Sequence, residues 1–288
     1  MIHGVSTKIP RRRALAEIAA WSALPIVGAG CRSGSVAAPR KTEASPARAV
    51  AKIRALPTTD GRGARLHRLF PSPYLQNLDP FVLLDDFDVA PPAGFPTHPH
   101  RGFEAFTYML EGAFHHVDNL GNDSVVSAGG TQRFTSGSGA WHSEMPGGDG
   151  TNRGLQLWVN LPRRLKQMSP NYAGLDGSHH PERRVDDADV RTIVGSGSDA
   201  ELQTAVRYAD VSLAAGRAFR DVVEGGWNAL VYVVSGLVEI GGTLFEAQEA
   251  ALPSDGPLIV LARSAARFAV LAGRPHHEPI LHHGPFVD

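Results

Sequence analysis

From residue 51 onward the chain is a succession of short apolar or alternating runs closed by Gly, Pro, Asn or Asp, a pattern that predicts strands and turns throughout. Residues 51–56 and 65–70 read as short strands, with a turn-rich stretch at 58–63 between them. Residues 81–87 (FVLLDDF) form a continuous apolar run closed by acids, as expected of a buried strand. Asp85, Asp86 and Asp88 precede a proline-rich turn and read as turn and cap residues. A loop at 93–97 leads into His98-Pro99-His100. Proline offers a sheet no N–H, so this point belongs at a strand start or a sheet edge. Gly102, Glu104, Phe106, Tyr108 and Leu110 share the parity of His98 and His100 and are expected to line the same interior. Residues 113–118 predict a further strand, 119–123 (NLGND) a hairpin turn, and 132–135 a strand returning after a turn at 127–131. Residues 155–161 (LQLWVNL) alternate as a half-buried strand does. Many short strands at this spacing imply a small β-barrel or sandwich, so the expected fold class is all-β.

The last third of the chain repeats the first. Residues 227–236 (WNALVYVVSG) echo 103–112 (FEAFTYMLEG). Aligning Tyr232 with Tyr108 puts Val222 in the place of His98, Glu224 in that of His100 and Ala266 in that of His142. The second domain therefore lacks those histidines and is expected to be structural, shaping the mouth of the first. Between the two, residues 162–199 are rich in Pro, Gly, Ser, Arg and His and read as a connection, with His179 and His180 on a solvated loop. The expected organisation is a first domain at 51–165, a connection at 166–199 and a second domain at 200–288. His276, His277, His282 and His283 make a His-rich tail whose metal binding would be adventitious.

Composition narrows the picture. A chain of 288 residues can hold one large or two ordinary domains, and 42% hydrophobic with 20% charged residues suits a globular core. A formal net charge of -1 provides no field to gather nucleic acid or an anionic membrane. Cys31 is the single cysteine, which excludes an internal disulfide and a cysteine-rich zinc site. The first fifty residues do not read as fold. Arg11, Arg12 and Arg13 precede an apolar stretch, 14–30, that Glu17 interrupts and that is shorter than the roughly 20 residues a membrane span needs. A basic flank before a short apolar region describes an export signal over 1–31, and the arginines admit the twin-arginine route. Cys31 after Gly28-Ala29-Gly30 resembles a lipoprotein cleavage box without its usual leucine, and 32–50 has the composition of a tether. Membrane contact is expected only through a lipid on Cys31. The alternative is a disordered extension on a cytoplasmic protein, which Glu17 favours.

The candidate chemistry lies in 94–146. His98 and His100 are two apart, as are His142 and Glu144. Residues i and i+2 of a strand point the same way, so each pair aims two ligating groups into one space. Two such strands side by side bring three imidazoles and a carboxylate together, a set that suits one mononuclear first-row metal, with Fe(II) the leading expectation and Mn, Ni, Cu and Zn also admitted. One His-x-His pair alone is weak evidence, since histidine is often a polar surface residue; two pairs on strand-like segments carry the inference. Gly137 and Gly139, just before Trp141 and His142, allow close backbone approach. His115 and His116 are adjacent, face opposite ways and are not expected to ligate jointly.

The segments HPHRGFE, TYMLEG, GSGAWHSEMP and GLQLWVNLP resemble the pirin family of bicupins, from about residue 53 to the last residue. The resemblance implies two tandem cupin barrels (double-stranded β-helix, or jelly-roll) and a non-haem iron held by His98, His100, His142 and Glu144, all matched without substitution. For bacterial members it implies quercetin 2,3-dioxygenase activity on a small aromatic substrate with O₂. The expected proton acceptor is Glu144 or Glu104. Glu104 lies four residues after His100, where many single-site cupins place their carboxylate ligand; the pirin pattern takes Glu144 and leaves Glu104 to support the ligands or touch substrate. Other family members are regulators or redox-sensing binding partners of proteins, and a structural cupin with a vestigial metal is a third reading. The stretch GRPHHEPILHHGPFV resembles the family's ending, which packs on the fold.

Overall fold

The structure, a computed structural model, describes residues 50–288. The arginine cluster, the 14–30 apolar stretch and Cys31, and with them the export and lipidation expectations, lie outside the described residues. The first half holds β1 (Ala51–Arg54), β2 (Leu56–Asp60), β3 (Ala64–Phe70), β4 (Phe81–Val89), β5 (Phe95–His100), β6 (Phe103–Glu111), β7 (Ala113–Asp118), β8 (Asp123–Ser127), β9 (Thr131–Thr135), β10 (Ala140–Pro146) and β11 (Asn152–Asn160). It is followed by β12 (Asn171–Leu175), β13 (Glu182–Val185), β14 (Ala188–Val194), β15 (Val206–Leu213), β16 (Ala218–Val223) and β17 (Asn228–Ser235). The remainder is β18 (Leu237–Ile240), β19 (Thr243–Glu246), β20 (Glu249–Leu252), β21 (Gly256–Ala262), β22 (Ala266–Gly273), β23 (His282–His283) and β24 (Phe286–Val287). Helix is confined, among the described residues, to two short turns, Arg163–Leu165 and Gly177–His179.

The fold is all-β and made of two barrels of one design. In the first, a seven-stranded sheet (β12-β9-β6-β11-β4-β3-β2) faces a four-stranded one (β5-β10-β7-β8). In the second, β1-β20-β17-β22-β15-β14-β13 faces β16-β21-β18-β19, position for position. The repeat read from Tyr108 and Tyr232 thus places β6 and β17 at equivalent points of equivalent sheets. The stretch 162–199, read as a connection, carries three strands: β12 extends the first barrel's large sheet, and β13 and β14 extend the second's. Their charged, turn-rich sequence hides them, because edge strands have one face in water. β1 leaves the first half altogether and pairs with β20 of the second barrel.

Asp85 and Asp86 correct the reading of them as turn and cap residues. Both lie inside β4, both are buried, and each is forked by an arginine: Arg68 holds Asp85 at 2.9 and 2.7 Å, Arg153 holds Asp86 at 3.1 and 2.8 Å. Bidentate pairing compensates the burial of the two charges. Residues 155–161, expected to be half-buried, are covered on both faces. Leu155, Leu157 and Val159 join Phe106, Tyr108, Tyr208, Leu230, Tyr232 and Leu271 in the core shared by the two large sheets. Gln156, Trp158 and Asn160 turn toward the first barrel's interior.

The two interiors differ. The second barrel's is one apolar cluster built on Phe219, Val231, Val233, Phe245, Leu258, Val260 and Phe268. The first barrel's is two clusters, one around Met109 and Phe114 and the other around Phe103, Phe134 and Trp158. Between them on β6 lies Thr107, level with Gln132, Glu144 and Gln156, so a buried polar layer divides this core.

Candidate metal centre

Pro96 and Pro99 hold β5 at the edge of the four-stranded sheet, as expected of residues that cannot donate to a ladder. β10 lies against it antiparallel, with His142 opposite His98 and Ala140 opposite His100. A bulge between His142 and Glu144 moves Glu144 opposite Phe95. On its other side β10 pairs with β7, setting His142 opposite Asp118 and Glu144 opposite His116. The i, i+2 parity therefore delivers both histidine-bearing strands to one space.

His98, His100 and His142 bring one ring nitrogen each to within 4.8 Å of one another, the one such group of three among the described residues. Each ring is held from behind through Nδ1. His98 Nδ1–H donates to the Pro96 carbonyl at 2.8 Å and His100 Nδ1–H to the Pro285 carbonyl at 3.3 Å. Those protons leave the Nε2 lone pairs of His98 and His100 facing each other at 3.0 Å, an arrangement that asks for a cation. His142 Nε2 is buried without any partner. Burial and the neighbouring His98 push His100 down to about 3. Burial, then His100, His98 and His116, push His142 well below the usual histidine range. His100 and His142 are thus neutral at pH 7, the state that ligates metal. A buried, unpartnered Nε2 and two opposed lone pairs fit a divalent metal ion.

His142 Nδ1 continues into the sheet. It lies 3.4 Å from His116 Nδ1, and His116 Nε2–H donates to Asp118 at 3.0 Å. Asp118 also accepts from the Leu120 and Asn122 amides. With Nε2 of His142 kept for a ligand, the chain runs His142 Nδ1–H to His116 and His116 Nε2–H to Asp118, which fixes both tautomers. Tyr172 stacks on His116 at 4.0 Å and Phe134 on His142 at 4.4 Å, so neither ring can turn. Only one of His115 and His116 faces inward, as their adjacency implies; the alternation Phe114, His116, Asp118 is the signal that marks which one.

Glu144 faces the same cavity and is buried. Its carboxylate accepts from Gln156 Nε2 at 3.0 Å, from Thr107 Oγ1 at 3.3 Å and from Gln132 Nε2. Glu104 is not in the site. It accepts from Thr135 Oγ1 at 2.8 Å and from the Gln203 amide at 2.8 Å, with Arg133 at 4.0 Å. Phe106 and Tyr108 go with it, into the core between barrels. The expected parity fails because the chain crosses from the small sheet to the large one at Arg101 and Gly102. Gly102 has a φ of +88°, and the inward residues of β6 are Phe103, Ala105, Thr107 and Met109.

The second barrel's counterparts of β5 and β10 are β16 and β21. Their inward residues are Phe219, Asp221, Val223, Leu258 and Val260, apolar but for Asp221, which pairs with Arg207. Counting along the sequence had put Val222 and Ala266 in the ligand places, but Val222 is exposed and Ala266 lies on β22, the counterpart of β11. Loop lengths differ between the repeats, so a constant offset drifts. Among the described residues, the group of three histidines lies in the first barrel.

A cavity of about 360 Å³ opens beside His98, His100 and Glu144, while the buried His142 does not line it. Leu83, Phe95 and Trp158 give it apolar walls, and the Arg68–Asp85 pair a polar one. His282 and Pro285 close it from the far end of the chain.

Two family models match this chain: one described as Pirin over residues 63–159 and one described as Pirin C-terminal cupin domain over residues 208–288. A pirin-like protein of Caulobacter vibrioides is 42% identical over 259 residues, which cover 84% of this chain and 93% of that one. A crystal structure of a quercetin 2,3-dioxygenase from Acinetobacter baumannii superposes with a TM-score of 0.76 at 29% identity, covering 82% of this chain and 90% of that one. A bacterial pirin of Escherichia coli, solved in complex with nickel(II), shares the fold at a TM-score of 0.66 and 21% identity, over 79% of this chain and 99% of that one.

Proposed function

The chain belongs to the pirin family, and from that premise we propose that it is an iron-dependent dioxygenase acting on a flavonol such as quercetin or a related aromatic. The observation that carries this reading is the convergence of three imidazoles, two of which, His98 and His100, line a cavity with apolar walls large enough for an aromatic ring system. His98, His100 and His142 would hold Fe(II) through Nε2, with Glu144 as the fourth ligand. When bound, the ion would supply a Lewis acid for an aromatic hydroxyl and a redox partner for O₂. The chain's own residues do the rest. Trp158 and Phe95 offer flat apolar contacts for the ring. Glu144, held by Gln156, Thr107 and Gln132, is the group placed to take the hydroxyl proton. Similarity to a quercetin 2,3-dioxygenase supports this choice of substrate class.

Metal analysis of the purified protein and of a His98→Ala/His142→Ala variant, with quercetin consumption followed on both, tests the reading. About one iron per chain with turnover in the wild type, and neither in the variant, supports it. Iron without turnover favours a non-catalytic pirin whose metal oxidation state governs a protein contact. One feature speaks for that second reading: β10 turns His142 inward and Trp141 outward, and Trp141 and Val125 are exposed on the sheet's outer face.

A further inference from the structure

The three imidazoles are not held alike. His98 is held by a carbonyl two residues back on its own strand, and His142 by His116 in the neighbouring strand. His100 is held by Pro285, 185 residues away and beyond the whole second barrel. We propose that residues 281–288 are a clasp that completes the metal centre, fixing the His100 ring with Nε2 toward the shared centre and closing the cavity wall. The proposal rests on the reading that the three histidines hold a metal.

The clasp is itself firmly seated. The Val287 N–H donates to the Arg101 carbonyl at 3.0 Å, one residue after His100. Lys166 Nζ donates to the Val287 carbonyl at 2.9 Å, to the Gly102 carbonyl at 3.0 Å and to Asn160 Oδ1 at 2.8 Å. Lys166 therefore ties the segment to the link between β5 and β6. The Arg101 guanidinium forks onto Asp288 and lies 4.9 Å over the Phe286 ring. Val287 is fully buried in the cluster of Phe103 and Trp158. Gly102 leaves room for this approach, since a Cβ there would lie 1.9 Å from the Val287 carbonyl oxygen. Leu281 and Asp288 exchange both backbone hydrogen bonds, so the segment is a closed hairpin rather than a loose strand. Its inner side presents His282 and Pro285 to the cavity.

Groups that orient a metal-bound histidine typically change metal affinity 10- to 100-fold when removed. Two variants release the clasp without touching a ligand: Val287→Asp, which drives a charge into the apolar anchor, and Lys166→Met, which removes three donated bonds. Each full-length protein is stripped of metal and titrated with Co(II) against a chelator, with the visible Co(II) spectrum recorded. Circular dichroism checks the barrels, and limited proteolysis after residue 280 reports release of the segment. Co(II) affinity at least about 10-fold weaker, with an altered spectrum and intact barrels, is the expected result. Unchanged affinity and spectrum in a variant whose segment is cleaved would overturn the clasp. Failure of the wild type to bind Co(II) would refute the three-histidine reading itself, a distinct outcome.

Discussion

His142 carries its ligating nitrogen on one side and a two-residue hydrogen-bond chain on the other, and both consequences are measurable. His116→Phe keeps the stack with Tyr172 and removes the partner of His142 Nδ1. It is expected to weaken metal binding about 10- to 100-fold while leaving the fold intact, as read by chelator competition. The depressed histidines make a second prediction. In the metal-stripped protein, His100 titrates at about 3 when folded and near 6.5 when unfolded. Between those values the unfolded chain takes up a proton that the folded chain refuses, so stability is whole above pH 6.5 and falls as pH drops toward 3. The slope is about 1.4 kcal/mol per pH unit for one such group. Urea unfolding of the stripped protein from pH 7 to pH 4 should show this loss, and a His100→Ala variant should show less of it. What was legible at this scale is the convergence of His98, His100 and His142, because strand alternation is a local rule. Pro285 and His116 were not, because no local rule reaches across a sheet or a barrel.

The element that decides most is the two-residue link between β5 and β6. With one more or one fewer residue there, Glu104 would face the imidazoles and Thr107 would not. Gly102 makes the link possible by a positive φ and by its missing side chain. Gly102→Ala is expected to cost about 2 kcal/mol or more, from the left-handed backbone and the clash with Val287, seen as a lower melting temperature. A loss below about 0.5 kcal/mol would show that the segment carrying Val287 simply moves aside. The same link explains why reading straight parity from His98 to Leu110 failed: alternation holds within a strand and restarts where the chain changes sheets. β12, β13 and β14 escaped notice for the opposite reason. Their polar faces are real, and only pairing to a barrel makes them strands.

Across the whole molecule the two barrels hold each other by one device used twice. Tyr108 on β6 donates to Asp210 on β15 at 2.8 Å, and Arg267 on β22 clamps that aspartate. Reciprocally, Tyr232 on β17 donates to Asp86 on β4 at 3.1 Å, and Arg153 on β11 clamps it. The strands correspond one for one, so the contact has the pseudo-twofold symmetry of the repeat. Tyr108→Phe and Tyr232→Phe should each cost about 1.5–3 kcal/mol in urea unfolding, the net worth of one hydrogen bond to a charged group. The double variant should lose about twice that if the two contacts are independent. β1, paired into the second barrel, and residues 281–288, seated on the first, cross in the same spirit. The sequence by itself determined the all-β class, the repeat, and which side chains could share one face of a strand, because hydrophobic period and residue chemistry act between near neighbours. Tertiary structure alone decided that Glu104 leaves the site, and that a carbonyl near the far end of the chain orients a histidine near its first third. Those outcomes depend on how sheets stack and where chains cross, which packing sets and periodicity does not encode.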